Sequence, residues 1–233
     1  MGRRVNYRKE IVCLANSRKT AGRCVAGIEH TTDGWGDWIR PVSARPTEEI
    51  SAEERHYENG LDPVLLDTIS IPFLEARPHG AQQENHLIDA DYYWEKTGNI
   101  EWCDLEDLVD EVEGPLWLNG ACSYNGLNDQ IPEDQASQLE NSLVLVRPDT
   151  LEIAVRLEGY QSPQKRKVRA CFSLNGHQYR LMVTDPVVTS EYLQQENGTY
   201  TLIAEDVYMC VSIGEPFHGY CYKLVASIIR RPE

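Results

Sequence analysis

Glu10-Ile11-Val12-Cys13-Leu14-Ala15 and Arg23-Cys24-Val25-Ala26-Gly27-Ile28-Glu29 are two β-rich runs, and the polar stretch Asn16-Ser17-Arg18-Lys19-Thr20-Ala21-Gly22 lies between them. Apolar and β-branched runs bounded by turn residues predict paired strands. Gly-Trp-Gly-Asp then leads into Trp38-Ile39-Arg40-Pro41-Val42, a short strand ending near its proline, so the chain opens as a meander of three strands. Further on, residues 45–61 are acidic and helix-prone at most, and 65–74 resume the β pattern. The loop after them, Arg77-Pro78-His79-Gly80, is expected to run to Asn85-His86-Leu87-Ile88-Asp89. From Asp91 to Val112 the apolar residues fall at helical spacing among carboxylates, which predicts one or two amphipathic helices. A Gly-, Asn- and Asp-rich connection then extends to about Leu139.

The second half is more regular. Strands are expected at 142–147, 152–157, 167–174, 178–184, 199–204, 207–213 and 220–229, with Asn175-Gly176 as a two-residue hairpin turn. Many short strands with few helical turns fit small closed or partly open barrels better than a parallel sheet with crossover helices. The expected fold class is therefore mainly β with some α, as two small barrels. Residues 1–140 would hold the N-terminal barrel with its acidic helical and loop segment, and 141–233 the C-terminal barrel.

At 233 residues a buried core needs neither metal nor disulfide. No apolar run approaches the ~20 residues of a membrane span, so no membrane partner is expected. Basic residues near the N-terminus are not followed by an apolar stretch of signal length. The seven cysteines are odd in number, scattered and without a CxxC pair, which predicts reduced thiols and a cytoplasmic location. The net charge of −15 argues against a general polyanion-binding surface, but it is unevenly spread. Residues 1–45 hold nine Arg or Lys against four acids, 46–141 three against 23, and 142–233 ten of each.

Ser17, Arg18, Lys19 and Arg23 place a hydroxyl and three cations around one turn, where they can converge on a phosphate; a solvated hairpin tip has the same composition. Trp38 and Arg40, two apart in a strand, share a face and could stack a base, or Trp38 could fill the core with Arg40 at its rim. Gln83, Asn85 and His86, with His79 and Gln82, offer amides and imidazoles suited to base edges or ribose hydroxyls. Lys167 and Arg169, in the basic run from Lys165, alternate onto one face; this fits a phosphate-facing strand or a charged edge strand equally. No nucleotide-loop, serine-hydrolase or metalloprotease motif is present, and no spacing implies a cofactor or a metal.

The segments Cys13-Leu14-Ala15-Asn16-Ser17-Arg18-Lys19, Gly22-Arg23-Cys24-Val25-Ala26-Gly27 and Trp38-Ile39-Arg40-Pro41-Val42-Ser43 together resemble the prokaryotic dual OB-fold domain family. Gln83-Glu84-Asn85-His86, Val211-Ser212-Ile213-Gly214-Glu215-Pro216-Phe217 and Tyr222-Lys223-Leu224-Val225-Ala226 extend the likeness over nearly the whole chain. The resemblance implies two OB-type barrels and binding of single-stranded nucleic acid or a nucleotide, in a role such as nucleic-acid processing or defence. The alternatives are an enzyme acting on a nucleotide or nucleic acid with His86 as acid or base, and an interaction module whose acidic middle docks a protein partner.

Overall fold

The computed structural model describes residues 7–159 and 163–232. Contacts divide the chain into two units, Met1–Leu108 and Val109–Glu233. In the first unit, β1 (Tyr7–Lys19), β2 (Gly22–Thr31) and β3 (Gly34–Val42) form the expected meander. The four-residue helix α1 (Ala52–Arg55) precedes β4 (Asp67–Ala76), β5 (Asn85–Ile88) and β6 (Glu95–Asn99). The strand order is β1-β2-β3-β5-β4-β6, and β1 also pairs with β4, so the five strands β1 to β5 close on themselves. β3 and β5 are parallel, with Arg40 opposite Asn85 and Val42 opposite Leu87. This is the Greek-key closure of an OB barrel, in which β5 pairs only with the end of β4 and leaves the edge at the start of β4 open.

β1 can close the barrel because it is long and irregular. Its N-terminal half pairs with β4 from Tyr7 opposite Phe73 to Val12 opposite Thr68. Most of its length pairs with β2, with a bulge between Cys13 and Ala15. A bulge adds twist and bends the strand. At that bend the strands approach so closely that a Cβ on Gly27 would lie 1.8 Å from the Val12 carbonyl oxygen. The core is then filled from alternate positions, including Ile11, Cys13, Val25, Ile39, Ile69 and Ile71.

The second unit holds β7 (Gln130–Pro132), α2 (Glu133–Ala136), β8 (Leu143–Val146), β9 (Thr150–Glu158), β10 (Lys165–Leu174) and β11 (His177–Val183), then α3 (Pro186–Gln194), β12 (Gly198–Leu202), β13 (Val207–Ile213) and β14 (Tyr220–Arg230). Its order, β12-β9-β10-β11-β14-β13-β8, contains the same path. β9, β10, β11, β13 and β14 correspond to β1, β2, β3, β4 and β5, and β11 pairs in parallel with β14 just as β3 does with β5. Here β12 pairs with β9 and β8 pairs with β13, covering the two edges that pair directly in the first unit. The second unit is thus the opened form of the same barrel.

The two barrels and nearly all second-half strands follow the sequence reading, including the Asn175-Gly176 turn, whose residues have φ of 52° and 76°. Four readings change. The turn between β1 and β2 is only Thr20-Ala21, because Lys19 already pairs with Gly22. Residues 85–88 are a strand, not the end of a loop. The segment expected as amphipathic helices holds β6 against β4 and a 3-10 helix at Trp102–Leu108, because the polar run Glu95–Asn99 pairs with an open edge of β4. Finally, residues 109–140 cluster with the second unit, not the first, since Leu116 N–H donates to Tyr179 Oη and Asp110 Oδ2 accepts from Leu145 N–H. No described helix is long and apolar enough to cross a membrane.

Gly27→Ala places a methyl group against backbone that cannot move without opening β1 from β2. The substitution is expected to lower unfolding free energy by about 3 kcal/mol, the upper end of the usual cost of overpacking, measured by chemical denaturation. Gly198→Ala, where an added Cβ would meet only the Tyr200 ring at 3.7 to 3.8 Å, is the reference for glycine loss without a clash.

Candidate functional site

The first hairpin of the first unit carries the predicted cations. Arg18 and Arg23 are direct cross-strand partners, so their side chains leave the same face side by side. Arg18 is exposed and Arg23 half-buried, with the Arg23 backbone bonded in both directions to Ile50. Lys19 projects from the other face, near enough to Glu49 to lower that carboxyl's pKa, after the Thr47 hydrogen bond. Ser17 is buried and its hydroxyl donates to the Cys24 carbonyl. Of the predicted cations of this hairpin, Arg18 and Arg23 therefore share one face and Lys19 the other.

The segment joining β4 to β5 lies at the far end of β1. At about 3.3 Å per residue, the strand path from Tyr7 to Arg18 runs on the order of 35 Å, and His86 sits at the Tyr7 end. Arg40 is 1% exposed. Its guanidinium lies 3.1 Å from Glu84 Oε1 and donates to Asn85 Oδ1 at 3.4 Å, while Arg40 N–H donates to the Glu84 carbonyl. Arg40, Glu84 and Asn85 thus anchor β5 onto β3, and Asn85 is itself fully buried with its amide on Gln82. Trp38 is half-buried on the same face as Arg40, and the outward-facing Ala26 and Ile28 of β2 are buried too. The middle of the β2–β3 face is accordingly closed to a stacking base.

Gln83 and His79 remain exposed in the β4–β5 loop. His86 points to the other side, in ring contact with Tyr7 and Phe73, and its Nδ1 is 2.5 Å from the Tyr7 hydroxyl. Burial first, then nearby Lys9, lowers the imidazole pKa, while burial and then Glu29 and Glu75 raise that of Tyr7. Tyr7 O–H therefore donates to a neutral His86. Lys9 and Glu29 form a 2.6 Å ion pair close by.

In the second unit the equivalent hairpin is β9–β10. Lys167 is exposed and directly opposite Arg156, also exposed, with Lys165 two residues along the same face. Arg169 shares that face but is buried and spent: its guanidinium makes two bonds to Glu158, at 2.8 and 3.0 Å, with Asp129 at 3.7 Å. Sequence reasoning placed Lys167 correctly in a strand but missed Arg156, because only the register reveals that the two are opposite. It also missed the β13–β14 loop as an aromatic element. Phe217 is 61% exposed, packs edge-on to His218 at 4.1 Å and lies 6.4 Å from the Tyr222 ring. The signal was Pro216-Phe217-His218-Gly219-Tyr220, aromatics on a turn between strands.

Lys223 was unremarked as a site. It is fully buried, donating to the Leu118 carbonyl and Asn119 Oδ1 at 2.6 and 2.9 Å, with its ammonium over the Tyr179 ring. Burial pulls its pKa down to about 7 against the favourable charge of Asp129. Among the described residues no group of three or more His, Cys, Asp or Glu is placed to hold a metal ion.

Both units therefore place exposed cations on the first hairpin of the barrel, and each has a loop between its fourth and fifth strands carrying exposed ring or amide groups. Residues 9–228 match the family model described as a dual OB-containing domain. No curated protein and no solved structure matches the chain.

Lys223 binds its proton less tightly in the folded chain than its ordinary value of 10.5. Between about pH 7 and that value the unfolded chain holds the extra proton, so this residue makes stability rise with pH, with no such contribution below the folded pKa. Denaturation midpoints measured from pH 6.5 to 9.5 are expected to show this rise in the native chain, and Lys223→Met is expected to flatten it.

Proposed function

The chain belongs to the dual OB-containing domain family, and from that premise we propose that it binds single-stranded nucleic acid through the first hairpins of its two barrels. The supporting observation is the repeated position of the cations: the pairs Arg18/Arg23 and Arg156/Lys167 are each directly cross-strand, on β1–β2 and on the equivalent β9–β10. The loop joining the first two strands of an OB barrel is one of its two ligand-contacting loops, and the loop joining the fourth and fifth is the other. In the second unit that other loop offers Phe217 and His218 for stacking; in the first it offers Gln83 and His79 for polar contacts.

The electrostatics set the character of this binding. Two cations per barrel contact few phosphates, and the acidic segment at 46–141 repels the backbone elsewhere. The affinity is therefore local and modest, assisted by stacking worth about 1–3 kcal/mol per base. A role in nucleic-acid processing or defence in a prokaryotic cytoplasm is consistent with such selective contact. His86 enters as a structural ring: its Nδ1 is engaged by Tyr7, and it lies far along β1 from the phosphate-binding pair.

Fluorescence anisotropy with a labelled oligothymidylate across a salt series tests this. Each single-strand phosphate contact contributes about 0.7 to the slope of log affinity against log salt. Arg18→Ala with Arg23→Ala, and separately Arg156→Ala with Lys167→Ala, are each expected to lower the slope by about 1.4. Phe217→Ala should weaken binding with little change in slope. An unchanged slope in both double variants would refute the assignment.

A further inference from the structure

One sheet edge is filled in the first barrel and open in the second. The start of β4 pairs with β1 on one side and with β6 on the other, antiparallel in both cases. In the second unit β12 stands to β9 as the start of β4 stands to β1, again antiparallel, from Gly198 opposite Val155 to Leu202 opposite Leu151. Among the described residues β12 pairs with β9 alone, so the edge that β6 occupies in the first unit carries no strand here.

This open edge also lacks the usual protection. Edge strands are normally guarded by charged residues, a proline, a bulge or a covering segment. β6, at the end of the first sheet, carries Glu95 and Lys96. β8, at the far end of the second, is covered by Asp110, whose N–H donates to the Leu145 carbonyl and whose Oδ2 accepts from Leu145 N–H. β12 reads Gly198-Thr199-Tyr200-Thr201-Leu202, with neither charge nor proline, and its register with β9 is unbroken. The uncharged run extends from Asn197 to Ala204, between Glu196 and Glu205, in a chain where 25% of residues are charged. Within it Thr199 and Thr201 are exposed, and Ile203 is 67% exposed.

We propose that this edge binds a second copy of the chain, β12 against β12, antiparallel about a two-fold axis at Tyr200. A two-fold contact needs a surface complementary to itself, and Thr199-Tyr200-Thr201 reads the same in both directions. The axis sets Thr199 opposite Thr201 of the second copy on the exposed face, a favourable cross-strand pair. On the other face Tyr200 and Leu202 pack against the barrel core. There the two Tyr200 side chains stand opposite each other, and Leu202 lies over Gly198 of the second copy. Charge favours the same match. Two chains of net charge −15 repel, and this stretch lets them meet with no charged residue opposite another. Glu196 and Glu205 confine the pairing to the residues between them. Five residues a side fall well below the standard interface of about 1,600 Å2, so the dimer is transient.

Sedimentation equilibrium of the full chain from about 10 µM to about 500 µM, at an ionic strength that screens the net charge, tests the proposal. The weight-average mass is expected to rise with concentration toward twice that of one chain. Thr199→Lys with Thr201→Lys sets lysine opposite lysine and should hold the chain monomeric throughout, and Thr199→Glu with Thr201→Glu should do the same. An equimolar mixture of the two variants sets lysine opposite glutamate at both positions and should regain the dimer, which chains that had merely unfolded could not do. A native chain that stays monomeric, a dimer that survives the double lysine substitution, or no recovery in the mixture overturns it. Oligothymidylate anisotropy is read separately on the monomeric chain, so failure here leaves the hairpin reading standing.

Discussion

The parallel pairing of β3 with β5 is the contact on which the first barrel depends, and a buried ion pair holds it. A parallel pair cannot be made by a tight turn; it needs a crossover, and here 42 residues separate Val42 from Asn85. Arg40 fixes the register by binding Glu84 and Asn85 at the point where β5 begins. Taking such charges out of water is costly, and removing one partner of a buried pair leaves the other uncompensated. The pair therefore specifies which strand lies beside β3 more than it adds net stability. Once β5 is in place, β4 can sit between β5 and β1, and the bulged β1 closes the ring.

That closure separates structural from available cations. Arg40 and Arg169 are both strand arginines on outward faces, and both are consumed by acids from neighbouring segments, Glu84 in one barrel and Glu158 with Asp129 in the other. At the hairpins, by contrast, Arg18 stands opposite Arg23 and Arg156 opposite Lys167, cation facing cation across the strands. Like charges in that position destabilise a sheet, and a phosphate between them would relieve the repulsion. The same fold thus uses one set of arginines to define its topology, and the proposed binding mode draws on the other cations, at the hairpins.

The sequence made the strands legible because their burial alternates or is complete, and both patterns survive without tertiary context. Thus β10, β11 and β13 were placed nearly to the residue. It misled at Asn85–Ile88, where four residues after a polar loop become a strand only because Arg40 and β3 receive them. It misled again at Glu95–Asn99, where charge and helical spacing gave way to an open edge on β4. At the candidate site, residue types were visible but partners were not. Arg18 and Lys167 are exposed and Arg23 half-buried, whereas Ser17, Arg40, Asn85 and Arg169 are buried in internal bonds. Arg156 and Lys223 acquire their character from a cross-strand register and a loop 104 to 105 residues away, which no local pattern encodes.

The central claim is that the two first hairpins form the nucleic-acid contact. Amide hydrogen exchange of the full chain with and without oligothymidylate locates that contact directly. The account predicts added protection at residues 17–24 and at the described ends of β9 and β10, with the 3-10 helix at Trp102–Leu108 unchanged. Protection confined to the acidic segment, or absent from both hairpins while the oligonucleotide is bound, would contradict it.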